Sequence, residues 1–157
     1  MSKIGVLIPA VRVNFLKDVI EGLAYQTFKD FTVHISDDSP DGSVSEFINS
    51  ELLAPARSII NINVVNGPRR GGSINRFFLE REFAFKYDYI HFHLDDDYIF
   101  PTFFEQHLKA HSIDDFSVSV SQRWLANENG RAKGVHPWAA NFNSPDRLLH
   151  AVDHKSL

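Results

Sequence analysis

The sequence predicts an α/β domain with a mainly parallel sheet sandwiched by helices, and three observations support this fold class. Short apolar runs typical of buried strands alternate with longer segments of helical periodicity. Polar and turn-forming residues separate the two kinds of segment, as in strand–helix–strand units with right-handed crossovers. The chain has 157 residues, of which 43% are hydrophobic. Because this is the length and apolar content of one domain with its own core, we predict a single domain over residues 1–157.

Five strands are predicted from the apolar segments. Residues 4–8 form a continuous apolar run that is typical of a strand buried on both faces and that ends at Pro9. In the segment 89–94, aliphatic and aromatic residues alternate with histidines, as in a strand with two different faces. The remaining strands are predicted at residues 31–35, 59–65 and 116–122.

Helices are predicted between these strands, where apolar residues recur every three or four positions. The first predicted helix covers residues 15–24, and Asn14 stands in the position of its N-cap. Further helices are predicted near residues 44–50, 74–85 and 102–110. In the segment 127–130, an Asn-Gly pair predicts a tight hairpin turn.

The composition excludes several classes of protein. The chain has no cysteine, which rules out a disulfide scaffold, a thiolate zinc site and a cysteine nucleophile. Its formal net charge is −4, whereas a general nucleic-acid-binding protein needs a basic face. The longest strongly apolar stretch, residues 4–11, is much shorter than the roughly twenty residues of a membrane-spanning helix. We therefore expect a cytoplasmic protein without a transmembrane segment that binds no nucleic acid.

Three polar clusters follow predicted strands, at the edge where parallel sheets bind ligands. Asp37 and Asp38 come after the second strand, and the glycine- and arginine-rich segment 67–72 comes after the third. Residues 95–97, all aspartates, come after the fourth. The segment 67–72 has neither Walker spacing nor a G-x-G-x-x-G motif, but its arginines could hold an anion at a helix start. Neither a Ser-His-Asp arrangement nor a nucleophile elbow is present in the sequence.

The three adjacent carboxylates at residues 95–97 repel one another unless a cation is bound. Mg²⁺ or Mn²⁺ would fit, because these ions take oxygen ligands and often use one or two carboxylates together with substrate phosphates. The alternative is a solvated acidic turn. His91 and His93 add the possibility of a His/His/Asp metal site, against the alternative that both imidazoles face a covering helix or solvent.

Five segments, taken in order, resemble the donor half of a family 2 glycosyltransferase with the GT-A fold. They are residues 6–12, 26–31, 37–39, 71–76 and 94–97, the last followed by Pro101. Residues 26–31 match the family's Gln-Thr-aromatic-x-Asp-Phe turn, and residues 94–97 match its D-x-D segment. Val11 and Asn75 depart from the pattern, since the family often has a base-stacking Tyr at the first position and Ala at the second. Residues 127–154 are similar to members of the bacterial spore-coat type.

The resemblance implies a role for each matching side chain. Asp38 would accept a hydrogen bond from the imide N–H of uracil or thymine, and Asp96 would bind the ribose hydroxyls. Asp97 would ligate Mn²⁺ or Mg²⁺, with Asp95 or Asp96 as the second partner, depending on how the triplet is framed. The other implied donor-binding residues are Pro9, Ala10, Arg12, Arg70, Arg76 and Asp95.

The same resemblance implies a nucleotide-diphospho-sugar donor, UDP- or dTDP-linked, and a carbohydrate-type acceptor that attacks with inversion of configuration. The family carries its catalytic Asp or Glu on a segment after the donor half, and we expect that base beyond Leu157. Asp153 and His154 match the acceptor side, and Asp153 is a candidate base within the chain. We therefore expect a donor half whose acceptor part is incomplete.

Two other functions are open on the sequence alone. The chain could be a catalytically incomplete nucleotide-binding module of a larger assembly. It could also be a nucleotidyltransferase on a similar sheet, although that chemistry favours a basic phosphate-binding loop behind the first strand, where residues 10–14 offer only Arg12. The sequence predicts neither the sugar, the acceptor nor the oligomeric state.

Overall fold

The computed structural model describes residues 3–113, 117–121, 123–127 and 130–135. The chain forms two compact units, Met1–Gln106 and His107–Leu157. Within the described ranges, no helix is both long enough and apolar enough to cross a membrane.

The first unit is built on a four-stranded parallel sheet with the strand order β3-β2-β1-β4. Its strands are β1 (Ile4–Ala10), β2 (Phe31–Asp37), β3 (Asn61–Asn66) and β4 (Tyr89–Phe92). The predicted parallel sheet is therefore confirmed. In the register of the sheet, Ala10 stands beside Asp37, so the polar segments after β1 and β2 begin at the same edge.

Strand β1 continues through Pro9, where the sequence predicted its end. The backbone N–H of His93 donates to the carbonyl of Leu7 at 3.0 Å, and β1 pairs with β4 only as far as Leu7. Alternate residues of a strand direct their polar groups to the same neighbour, so the nitrogen of Pro9 faces the side where β4 has already ended. Proline therefore removes no sheet hydrogen bond at this position.

Five α-helices and two short 3₁₀ turns accompany the described strands. The helices are α1 (Leu16–Ala24), α2 (Ser43–Asn49), α3 (Ala54–Arg57), α4 (Gly72–Phe83) and α5 (Phe103–His111), and the 3₁₀ turns are Glu51–Leu53 and Ala84–Lys86. The predicted cap at Asn14 is wrong, because α1 is preceded by Phe15 and no side chain caps it. A backbone turn leads into the helix instead, with the N–H of Leu16 donating to the carbonyl of Val13 at 3.2 Å.

Helices cover both faces of the sheet, as the sequence predicted. On one face, Leu79 and Phe83 of α4 pack on Leu7 of β1. On the other face, the ring of Phe104 from α5 lies 5.1 Å from the ring of Phe31 in β2. These side chains are buried, so the sheet is fixed between two apolar layers.

The second unit contains an antiparallel pair, β5 (Trp124–Ala126) and β6 (Ala132–Val135). The predicted hairpin is confirmed: the strands on either side of the turn pair, and Gly130 N–H donates to the Asn127 carbonyl at 2.9 Å. The fifth strand predicted at residues 116–122 is wrong over the described part, 117–121, which contains no strand. Its alternating valines, Val118 and Val120, are more than half exposed, so they supply no buried face for a strand.

Candidate functional site

Asp37, at the end of β2, holds the turn that leads into α2. Its Oδ1 accepts hydrogen bonds from the backbone N–H and the hydroxyl of Ser39, at 2.9 and 2.5 Å. Its Oδ2 accepts from the backbone N–H and the hydroxyl of Ser45, also at 2.9 and 2.5 Å. Burial alone would raise the pKa of Asp37, but these hydrogen bonds outweigh burial and the pKa lies below its ordinary value. Asp37 is therefore a structural carboxylate whose acceptor capacity is used internally.

Asp38, the next residue, is placed differently. Its backbone N–H donates to the carbonyl of Ala10 at 2.8 Å, which ties it to the end of β1. Its Oδ1 accepts a hydrogen bond from the backbone N–H of Arg69, in the loop after β3. Its Oδ2 accepts no hydrogen bond from the described residues, although the residue is only 8% exposed. One oxygen of Asp38 is thus fixed by the loop after β3, whereas the other accepts no hydrogen bond from the described residues.

Gly67 allows the loop after β3 to approach Asp38. A Cβ atom at this position would lie 2.6 Å from Oδ1 of Asp38 and 2.9 Å from both the Asp37 carbonyl and Oγ of Ser36. The N–H of Gly67 donates to that same carbonyl at 2.7 Å. Only glycine fits so close a contact, because its neighbours include rigid backbone. The sequence predicted Gly67 only as part of an anion-binding loop and gave no signal of this positioning role.

Asp95 connects the end of β1 to the turn after β4. Its Oδ2 accepts from the backbone N–H groups of Val11 and Arg12, at 3.1 and 3.3 Å. Its Oδ1 lies 3.3 Å from Nη2 of Arg12, and the same nitrogen lies 3.1 Å from Oδ2 of Asp96. Arg12 therefore neutralises part of the acidic cluster, an ion pair that the sequence did not predict beside the two alternatives of a bound cation and a solvated acidic turn. Both oxygens of Asp95 are engaged by protein donors.

Asp97 presents the carboxylate of this turn that has no protein partner among the described residues. The residue is half-buried, and its hydrogen bonds are made by its backbone: the carbonyl accepts from Nε2 of His93 at 3.0 Å, and the N–H donates to the carbonyl of Leu94 at 3.5 Å. A carboxylate with free oxygens fits a hard divalent cation that also binds phosphates. Asp97 therefore fits a Mn²⁺ or Mg²⁺ ion, whereas Asp95 would first have to release a backbone donor. Within the described chain, no group of three or more histidine, aspartate or glutamate side chains is arranged around a common metal position.

His91, in β4, and His93, just after it, connect the end of this strand to the aspartate turn at residues 95–97. Nε2 of His91 lies 3.2 Å from Nδ1 of His93, whose Nε2 faces the Asp97 carbonyl. The ring of His91 also packs against Phe103 and Phe104 of α5, with ring centroids 4.9 and 5.5 Å apart. Both nitrogens of His93 are occupied and one imidazole faces a covering helix. His91 therefore faces a covering helix, as the alternative expected, whereas His93 faces the aspartate turn, and within the described residues the pair forms no His/His/Asp metal site.

Besides Arg12, two further arginines were predicted at the donor, and they lie on different surfaces. The guanidinium of Arg76, which is exposed, lies 4.3 Å from the ring centroid of Phe92 at the end of β4. Arg70 instead lines a groove of about 290 Å³ along α4. The other lining residues are Pro68, Ile74, Phe77, Phe78 and Arg81. Asp153 and His154, predicted on the acceptor side, lie outside the described residues.

Two buried side chains of the site were not singled out for function by the sequence. Asn75, in the first turn of α4, donates from Nδ2 to the carbonyl of Ser36 at 3.2 Å. Its Oδ1 and the hydroxyl of Ser36 have no hydrogen-bond partner within the described residues, although both residues are almost fully buried. The only sequence signal was that Asn75 stands where Ala is usual.

Gln26 fixes the segment that follows the aspartate turn. It is 1% exposed, its Nε2 donates to the carbonyl of Phe100 at 2.7 Å, and its Oε1 accepts from the N–H of Phe104 at 3.2 Å. The neighbouring Thr27 N–H donates to the carbonyl of Pro101 at 2.8 Å. The Gln-Thr pair therefore holds the entry to α5, which explains structurally why this pair accompanies the acidic turn.

Comparison with known proteins identifies the family. The sequence profile described as glycosyl transferase family 2 matches residues 6–154, which is nearly the whole chain. The chain belongs to glycosyl transferase family 2. No curated protein sequence matches it.

Solved structures similar to this family 2 chain confirm the predicted GT-A fold. Residues 1–349 of S. aureus TarS give a TM-score of 0.58 at 20% identity, with 71% of this chain and 32% of that chain covered. The complex of the same fragment with UDP gives a TM-score of 0.55 at 18% identity, with 82% of this chain and 43% of that chain covered. The complex with UDP-GlcNAc gives a TM-score of 0.54 at 18% identity, with 79% of this chain and 40% of that chain covered. The family 2 chain thus spans less than half of each of these structures.

Proposed function

We propose that this chain binds the nucleotide-diphospho-sugar donor of a glycosyl transfer reaction. The observation that carries the proposal is the double attachment of residues 10–12. Ala10 accepts from the N–H of Asp38 at 2.8 Å, and the next residue, Val11, donates to Asp95 at 3.1 Å. The two acidic positions are thereby held on either side of one short segment, at the edge where parallel sheets bind ligands.

Each acidic position suits one part of a uridine or thymidine diphosphate. The free oxygen of Asp38 suits the imide N–H of the base, since a carboxylate is a strong acceptor. Asp96, which is exposed and paired with Arg12, suits the ribose hydroxyls. The family assignment and the complexes of S. aureus TarS with UDP and UDP-GlcNAc support a donor of this class.

Asp97 would hold the divalent cation, Mn²⁺ or Mg²⁺, together with the diphosphate. When bound, such an ion supplies charge neutralisation for the leaving nucleoside diphosphate. The chain's own part is to keep one carboxylate free: Arg12 neutralises Asp95 and Asp96, and His93 fixes the backbone of Asp97. We propose that the sugar then passes to a carbohydrate-type acceptor with inversion, with the base on the acceptor side, for which Asp153 is a candidate.

The experiment is a binding titration of the chain with UDP, dTDP, ADP and GDP in the presence of Mn²⁺. At a hundred times its dissociation constant, a ligand stabilises a fold by about 2.7 kcal/mol. That gain corresponds to a rise in melting temperature of about 5–10 °C for a domain of this size. We expect this rise in melting temperature with UDP or dTDP, and a smaller rise with the same concentration of ADP or GDP.

Matched variants separate the two acidic positions. Asp38→Asn should weaken UDP binding with or without Mn²⁺, whereas Asp97→Asn should remove only the part that depends on Mn²⁺. Asp88→Asn is the control, because Asp88 is exposed at the opposite end of β4. A larger shift with ADP, or equal losses in all three variants, would contradict the proposal. UDP binding without turnover of any nucleotide sugar would instead favour the nucleotide-binding module.

A further inference from the structure

A second polar cluster lies in the second unit, where α5 meets the segment that follows it. His107 and His111 are four residues apart on α5, so they share one helix face. Nδ1 of His107 lies 2.6 Å from Oγ of Ser119, and Nε2 of His111 lies 2.9 Å from the same oxygen. All three side chains are half-buried. Two imidazole nitrogens from one helix and one oxygen from another segment therefore converge.

The geometry of this cluster determines which of its groups donate hydrogen bonds and which accept them. A hydroxyl donates only one hydrogen bond, so Ser119 donates to one imidazole and accepts from the N–H of the other. Burial lowers the pKa of His107, and the neighbouring His111 lowers it further. Each imidazole thus directs one nitrogen at the same oxygen, and neutral imidazole is the form that ligates metals.

We propose that His107 and His111 bind a transition-metal ion of the zinc class, with the Ser119 hydroxyl as a third ligand and water completing the shell. Histidines at i and i+4 on a helix are a known arrangement for Zn²⁺. The ion would replace the two hydrogen bonds with coordinate bonds to the same three atoms, and the proton on the donating ring nitrogen would move to the other nitrogen of that ring or to solvent. Imidazole nitrogen favours Zn²⁺, Cu²⁺, Ni²⁺ or Co²⁺, whereas Mn²⁺ and Mg²⁺ favour carboxylates and phosphates. This site therefore takes a different class of metal from Asp97.

The expected effect of the ion is a link between α5 and the segment around Ser119. Ser119 lies in residues 117–121, which form neither helix nor strand. A cross-link between a helix and an irregular segment stabilises the folded state, because binding to the folded form alone adds to the unfolding free energy. The readout is therefore thermal stability as well as binding, and neither depends on glycosyl transfer.

The test uses the metal-free full chain titrated with Zn²⁺ alone by calorimetry, and with Co²⁺, whose visible absorption reports imidazole ligation. His107→Asn and His111→Gln place an amide near the nitrogen that now contacts Ser119, so the hydrogen bond can persist while the metal ligand is lost. Loss of even an outer partner of a metal ligand weakens binding about 10–100-fold, so losing either imidazole should cost at least about tenfold. Ser119→Ala should weaken binding by less.

Two controls make the outcome specific. Lys109→Gln alters an exposed residue of the same helix and should bind Zn²⁺ like the wild type. Asp97→Asn should also bind Zn²⁺ normally, which separates this site from the proposed donor site. Absence of Zn²⁺ binding by the folded wild-type chain would overturn the proposal. So would equal affinity in the His107→Asn/His111→Gln double variant, or displacement of Zn²⁺ by an equal concentration of Mn²⁺.

Discussion

Gly67 and Asp38 are in such close contact that a Cβ atom on Gly67 would lie 2.6 Å from the Asp38 carboxylate oxygen. The contact places the backbone N–H of Arg69 on that same oxygen. The orientation of Asp38 therefore depends on a residue that has no side chain of its own.

Gly67→Ala should displace either Asp38 or the loop and weaken UDP binding. Overpacking of this kind typically costs about 1–3 kcal/mol, which should appear in urea denaturation. Gly72→Ala is the matched control, because a Cβ atom there meets nothing within 4 Å. If Gly67→Ala binds UDP as tightly as Gly72→Ala does, the loop does not position Asp38.

Asp95→Ala should destabilise the fold more than Asp96→Ala. Removing Asp95 leaves the N–H groups of Val11 and Arg12 without their acceptor, and a hydrogen bond to a charged group is worth about 1.5–3 kcal/mol. Asp96 makes only an ion pair with the exposed Arg12, and such a pair contributes at most about 1 kcal/mol. Urea denaturation of both variants measures the difference, and equal losses would show that Asp95 has no special structural role.

Gln26→Leu should lower the unfolding free energy, although leucine has nearly the same size. The substitution removes the donor for the Phe100 carbonyl and the acceptor for the Phe104 N–H, each worth about 1–3 kcal/mol if left buried and unpaired. Thr27→Val is the comparison, because it removes an exposed hydroxyl and keeps the backbone hydrogen bond to Pro101. Chemical denaturation should rank Gln26→Leu as the less stable variant, and the reverse order would contradict the structure.

Acidification should destabilise the fold through His34. Nδ1 of this buried histidine accepts from the Asn63 amide at 3.0 Å, so Nε2 carries the proton and donates to the Tyr87 hydroxyl at 2.6 Å. Burial lowers the pKa of His34 to about 4, and the cation of Lys86 contributes in the same direction. In the unfolded chain its pKa is about 6.5, so the unfolded state binds one more proton between these values.

The stability contributed by His34 is therefore complete above pH 6.5 and decreases as the pH falls towards 4, by about 3 kcal/mol in total. His34→Gln should reduce the slope of unfolding free energy against pH in this window by about one proton. Urea denaturation between pH 4 and 7 measures the slope for both proteins. An unchanged slope in the variant would mean that other groups carry the pH dependence.

The strand positions were predictable because buried parallel strands appear in the sequence as continuous apolar runs, as at residues 4–8. The different hydrogen bonding of Asp37 and Asp38 was not predictable, because it depends on Ser45, eight residues after Asp37, and on Arg69 in another loop. Local sequence around two adjacent aspartates cannot show which one receives hydrogen bonds from distant donors.

The same reasoning explains the other departures. Val118 and Val120 alternate as in a strand, but alternation predicts a strand only if one face is buried, and both valines are exposed. The direction of Arg70 depends on how the loop after Gly67 turns, and Arg69 in that loop has a left-handed φ of 54°. The ion pair of Arg12 with Asp95 joins residues more than eighty positions apart, a distance over which no spacing rule applies.

Pro9 has a consequence for the timing of ligand binding. Its nitrogen carries no hydrogen and could not donate to a longer β4, and the pairing of β1 with β4 ends at Leu7. At this edge, where we propose that the donor binds, β1 and β4 are therefore already separate in the folded chain. The entropic cost of holding the two strand ends apart arises during folding and not on association, so a ligand need not separate the strands in order to bind.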